Sequence, residues 1–121
     1  MIVKVDSKKL HKAIKLIFKS YGIKNSSLKK VSKYLIEADL CGQNSHGVAR
    51  LSYYLKKVED KGININAKSK IYNETLTTAQ VDGGWNFGQL AADDAIKLCI
   101  KKAVKSNIAC VTLKNANHVG R

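Results

Sequence analysis

Residues 87–113 read Phe-Gly-Gln-Leu-Ala-Ala-Asp-Asp-Ala-Ile-Lys-Leu-Cys-Ile-Lys-Lys-Ala-Val-Lys-Ser-Asn-Ile-Ala-Cys-Val-Thr-Leu, and the fold class turns on this stretch. Over 87–106 a helical face is formed by Leu90, Ala91, Ala95, Leu98 and Val104, with Cys99 and Ile100 on its flank. Gly88, Ala91, Ala92 and Ala95 keep one side slim, so that a neighbouring backbone or a bound molecule can come close. Core packing is the plainer use of that side. Residues 108–113 then run apolar without a break, as in a strand buried on both faces. Upstream, residues 63–82 lose the helical period. Ile71, Leu76, Ala79 and Val81 stand among Thr, Asn and Gln, which predicts two short extended segments ending at Asp82-Gly83-Gly84. Strand, helix, strand is a βαβ-like unit, and its second strand should be internal. The chain is therefore expected to be α/β.

Three amphipathic helices are expected before this unit. Asp6 or Ser7 caps the first, about 7–21, with Leu10, Ile14, Ile17 and Phe18 as its stripe and Gly22 as its stop. Ser26 or Ser27 caps the second, about 27–40, where Leu28, Val31, Leu35 and Ala38 recur and Gly42 follows. The third, about 45–60, carries Val48, Leu51, Tyr54, Leu55 and Val58, and Gly62 ends it. Ile2, Val3 and Val5 are a short β-branched opening that suits an edge strand. Between the second and third helices lies Cys-Gly-Gln-Asn-Ser-His-Gly-Val-Ala-Arg, residues 41–50. With Asn44 or Ser45 as a cap, His46 and Arg50 are four residues apart on one face at a helix start. An imidazole trades protons near neutral pH, and an Arg fork grips a carboxylate. Taken alone, the same residues also describe a capped helix with a surface His and a surface Arg.

The bulk composition narrows the partners. The chain has 121 residues, enough for one small domain, and 45% hydrophobic content, which argues against disorder. No apolar run approaches a membrane span, and no secretory signal is evident. Cys41, Cys99 and Cys110 form no CxxC pair, so neither a disulfide framework nor a metal site is expected and a cytoplasmic setting is the default. The net charge of +13 raises nucleic-acid binding, but all 22 basic residues except Arg50 and Arg121 are Lys, spread along the chain. That pattern suits solvated helix faces better than specific readout, which favours Arg.

Three blocks stand in order: Ala38 to Leu51, containing Ser-His-Gly-Val-Ala-Arg; Val81 to Gln89, containing Asp-Gly-Gly-Trp-Asn-Phe-Gly-Gln; and Asn115 to Gly120, Asn-Ala-Asn-His-Val-Gly. Together they resemble the N-terminal part of the type-2 malate/L-lactate dehydrogenase family, which also includes ureidoglycolate, sulfolactate and diketogulonate dehydrogenases. The resemblance runs over essentially the whole chain. It implies a helical N-terminal region, residues 1–66, followed by the start of a non-Rossmann nucleotide-binding domain, residues 67–121, apparently truncated. It implies an oxidoreductase using NAD or NADP on small 2-hydroxy or 2-oxo acids, commonly as a homodimer. Ser45, His46 and His118 match the family's catalytic positions, with the acid/base assigned to either histidine. Arg50 matches the family's Arg and is expected to bind the substrate carboxylate; by position alone, Asn117 is expected near the substrate and Gly120 near the cofactor. Gln43-Asn44 departs from the family's usual His-Asp, and Trp85 is bulkier than usual. A chain of this length is expected to associate with a missing C-terminal portion or with a second copy. An inactive remnant, or a non-enzymatic binding module with a Lys-rich surface, is the alternative.

Overall fold

The computed structural model describes residues 3–120. It contains α1 (Ser7–Ser20), α2 (Asn25–Leu40), two 3-10 turns (Asn44–His46 and Val48–Arg50), α3 (Leu51–Glu59), β1 (Lys70–Tyr72), β2 (Thr78–Asp82), α4 (Gly88–Ser106) and β3 (Cys110–Lys114). The chain divides into two compact units, the first running to Lys61 and also taking in Gly120, the second spanning Gly62–Val119.

In the first unit, Asp6 caps α1 by accepting a 2.8 Å hydrogen bond from the Lys9 amide. Gly22, at φ +74°, stops it. Ile14 and Phe18 are buried, together with Leu28, Val31, Leu35 and Ala38 of α2 and with Tyr54 of α3. The α1 stripe is narrower than expected, because Ile17 is 39% exposed. α2 begins at Asn25, earlier than expected, and no side chain caps it. Ser26 and Ser27 therefore lie inside its first turn. The expected strand at the start is absent at Val3 and Val5, which are exposed and unpaired in any sheet; Ile2 lies outside the described residues.

The third helix differs most from its expected form. A continuous helix over 45–60 is replaced by two 3-10 turns and the shorter α3. Neither Asn44 nor Ser45 caps it. The break falls at Gly47, which is buried and extended at ψ −147°. A side chain there would run into the Asp39 carboxylate, which also accepts the Val48 amide, so the position is open only to glycine.

In the second unit, the sheet order is β1-β2-β3. β1 and β2 are antiparallel, pairing Lys70 with Asp82. β2 and β3 are parallel, pairing Thr78 with Cys110 and Asp82 with Lys114, with α4 as the crossover packed on both. The βαβ unit is therefore present, but the internal strand is β2, whose Ala79 and Val81 are buried. β3 was expected to be buried on both faces. It pairs with β2 alone among the described residues, and its side chains alternate between exposed and half-buried. α4 rests on its slim side, burying Gly88, Ala91 and Ala95. Larger side chains would hold the helix off the sheet, so Val104, expected in the core, is turned outward at 80% exposure along with Ile96 and Ile100. Lys102 is buried instead: its stem fills the gap, while its ammonium donates to the Thr75 carbonyl and pairs with Glu74 at 3.0 Å. No helix among the described residues is long and apolar enough to cross a membrane.

Candidate functional site

The first cluster is the turn between α2 and α3. The Ser45 hydroxyl and the His46 Nδ1 are 3.0 Å apart, so the hydroxyl orients the ring, donating or accepting according to the tautomer. Arg50 Nε donates to the Ser45 carbonyl at 2.8 Å. Its guanidinium carbon lies 5.7 Å from the centre of the Tyr53 ring, a cation–π distance. Ser45 thus links to both, through its hydroxyl to His46 and through its carbonyl to Arg50, across two successive 3-10 turns rather than on one helical face. With Nε used on the backbone, the Nη groups are left to form the two-pronged fork toward a carboxylate.

Asp39 holds this turn, and its role was not read from the sequence. Its Oδ2 accepts the Val48 amide at 2.8 Å. A signal was present: an Asp in the last turn of a helix opposes the helix dipole, so it needs a compensating donor. That donor is the turn bearing His46.

The second cluster sits at the carboxyl ends of β2 and β3, the usual location of ligand sites in open α/β sheets. The strands end side by side at Asp82 and Lys114. The turn after β2 passes through Gly84 and Trp85, at φ +59° and +60°; the arm after β3 begins with Asn115 at φ +50°. The Gly83 amide donates to the Lys114 carbonyl at 2.9 Å and the Trp85 amide to the Asn115 carbonyl at 2.6 Å. Asn117 ties the arm down further, its Nδ2 donating to the carbonyls of Gly62, Trp85 and Asn86 at 3.0, 2.7 and 3.2 Å. Asn86 is buried and donates to the Ala67 carbonyl. His118 follows on the arm and is half-buried. Gly120 takes φ +94°.

Asp82 lies under both turns. Its Oδ1 accepts the Gly84 amide at 2.8 Å and its Oδ2 the Asn115 side-chain amide at 2.7 Å. The Tyr72 hydroxyl donates weakly at 3.4 Å, and the Lys114 ammonium stands 3.9 Å away. The Gly84 amide first, then Asn115, hold the carboxyl below its ordinary range, against the opposing effect of burial. Partial burial and the adjacent carboxylate push the Tyr72 phenol up. A cavity of about 290 Å³ opens beside Asp82, with Lys68, Lys70 and Tyr72 on its walls.

A Gly-rich strand–helix turn can cradle a diphosphate at a helix N-terminus. Here that room is taken on one side. The carbonyls of Asn117 and His118 press so close to Gly88 that no Cβ fits. The residues at this turn do not fit a diphosphate, in keeping with the absence of a GxGxxG pattern. No group of three or more metal-binding side chains occurs among the described residues.

The chain matches the family model for malate/L-lactate dehydrogenase over residues 5–121. It is 36% identical over 116 residues to hydroxycarboxylate dehydrogenase B of Escherichia coli O157:H7, covering 96% of this chain and 32% of that protein. It is 34% identical to the L-sulfolactate dehydrogenase of Methanocaldococcus jannaschii, covering 99% of this chain and 34% of that one. The solved structure of malate dehydrogenase from Pyrococcus horikoshii OT3 superposes with a TM-score of 0.93 at 33% identity, over 98% of this chain and 34% of that one. The chain thus spans about a third of the length of the relatives it matches. The match runs through both clusters, and the chain belongs to the malate/L-lactate dehydrogenase family.

Proposed function

We propose that this chain is the N-terminal part of an NAD- or NADP-dependent oxidoreductase that interconverts 2-hydroxy and 2-oxo acids in the cytoplasm. The observation that carries the reading is the Ser45–His46–Arg50 cluster: a hydroxyl-oriented imidazole with a backbone-anchored guanidinium one turn on. Reduction of a 2-oxo acid needs a hydride on carbon and a proton on oxygen. The nicotinamide supplies the hydride when bound. His46 holds the proton and Ser45 fixes the ring that carries it. Arg50 takes the substrate carboxylate between its Nη groups. His118 is the second candidate for the proton, Asn117 holds its arm near the substrate, and Gly120 leaves room for the cofactor.

The test is turnover of the enzyme that contains this chain, followed through nicotinamide absorbance with a panel of 2-oxo acids. His46→Ala or His118→Ala is expected to lower kcat by about 10²–10⁴-fold, the usual share of a positioned acid/base. Arg50→Lys should act mainly through KM, because a point charge does not replace a planar fork. Unchanged turnover in both histidine variants would refute the reading.

A second reading, an association module, is favoured by the outward face of α4. Ile96, Ile100 and Val104 are 59, 58 and 80% exposed, with Ile108 beyond at 74%. We propose that this face is covered in the working protein, by a second copy in a homodimer or by a C-terminal portion of the enzyme.

A further inference from the structure

We propose that Asp82 is the positioning residue for the arm that carries His118, fastening the turn after β3 to the turn after β2 and so setting where the imidazole stands. For its bearing on catalysis this rests on the acid/base reading of His118; the placement of the arm does not.

The parallel register puts Asp82 and Lys114 side by side as the last residues of their strands. From there each chain must turn sharply, and each does so through a non-glycine residue with positive φ, Trp85 in one and Asn115 in the other. Such a conformation is strained for a tryptophan and persists only where the surroundings hold it. Asp82 is the side chain that reaches both. One carboxylate oxygen accepts the Gly84 amide beside Trp85, and the other accepts the Asn115 amide group. The side chain is only 15% exposed, so water competes poorly for these two bonds. Behind this clamp the backbone bonds from Trp85 to Asn115 and from Asn117 to Asn86 lead directly to His118.

The chemistry of the pair makes the test specific. A carboxylate at 82 accepts from both turns. An alanine there accepts from neither turn. A carboxamide still accepts the Gly84 amide, and its N–H meets an acceptor once the Asn115 carboxamide turns over to present its oxygen, so asparagine keeps both bonds without the charge.

The experiment is two-dimensional NMR of the uniformly ¹⁵N-labelled full chain, with amide hydrogen exchange and the His118 ring signals as readouts. In Asp82→Ala, exchange at the Trp85 and Asn117 amides should rise by about tenfold or more as the arm opens locally. The His118 ring signals should shift, while α1 and α2 stay as they are. In Asp82→Asn, both should lie close to wild type. If Asp82→Ala leaves exchange and the His118 ring unchanged, or if Asp82→Asn behaves as Asp82→Ala does, the proposal is overturned. A failure of the acid/base reading would show elsewhere, as full turnover in His118→Ala, and would leave these readouts untouched.

Discussion

Single residues decide where the two clusters stand. Gly88 is pressed by the carbonyls of Asn117 and His118. Gly88→Ala is therefore expected to cost at least about 1–3 kcal/mol, read as a lower denaturation midpoint, because backbone cannot swing aside as a side chain can. Asp82 gives a prediction in pH. Its folded carboxyl lies below the ordinary 3.8, so it favours the folded arm fully above that value and loses its hold only as pH falls through the lower one. The other titratable groups against it are the Lys114 ammonium and the Tyr72 hydroxyl. The Trp85 backbone amide resonance should thus remain in place in an acid titration from neutrality to about pH 4 and move only below it. At this scale the sequence was partly legible. Ser45, His46 and Arg50 stand close in the chain, and their short-range spacing was enough to group them. Asp82 and Asn115 are far apart in the chain, and only the parallel pairing brings them together, so no local pattern announced their bond.

At the scale of elements, periodicity placed α1, α2 and α4, and the loss of the helical period marked the strands, of which β2 alone buries alternate side chains. The helix expected over 45–60 was misread for a physical reason. Its apolar residues do repeat, but the Asp39 carboxylate occupies the space beside position 47 and breaks the spiral. α4 was misread in orientation. Size rather than hydrophobicity chose its packed side, so that Ala91 and Ala95 go in and Val104 goes out. Two substitutions separate these rules. Ala95→Leu should destabilise by about 1–3 kcal/mol through overpacking. Val104→Ser should change stability by no more than about 0.5 kcal/mol in the chain taken singly, where the side chain is 80% exposed. Thermal melts of both variants check the pair, and a large loss in Val104→Ser would mean that this face is covered in solution.

For the whole molecule, composition spoke to surface more than to purpose. A net charge of +13 carried almost entirely by Lys predicts nonspecific attraction to polyanions. Retention on DNA should fall by orders of magnitude between about 50 and 200 mM salt. The two-part organisation has a further consequence, in time rather than in space. The helices of the first unit pack on their neighbours in the chain, and such local contacts form quickly. The parallel pairing of Thr78 with Cys110 must first close a long crossover, and closing it costs entropy before any strand contact repays it. Trp85 is the only tryptophan, and its amide binds the Asn115 carbonyl at the site of that closure. After dilution from denaturant, far-ultraviolet ellipticity should therefore recover ahead of tryptophan fluorescence. The arm bearing His118 would be the last part of the chain to set, leaving a brief interval in which the protein is largely helical but its second histidine has no fixed place.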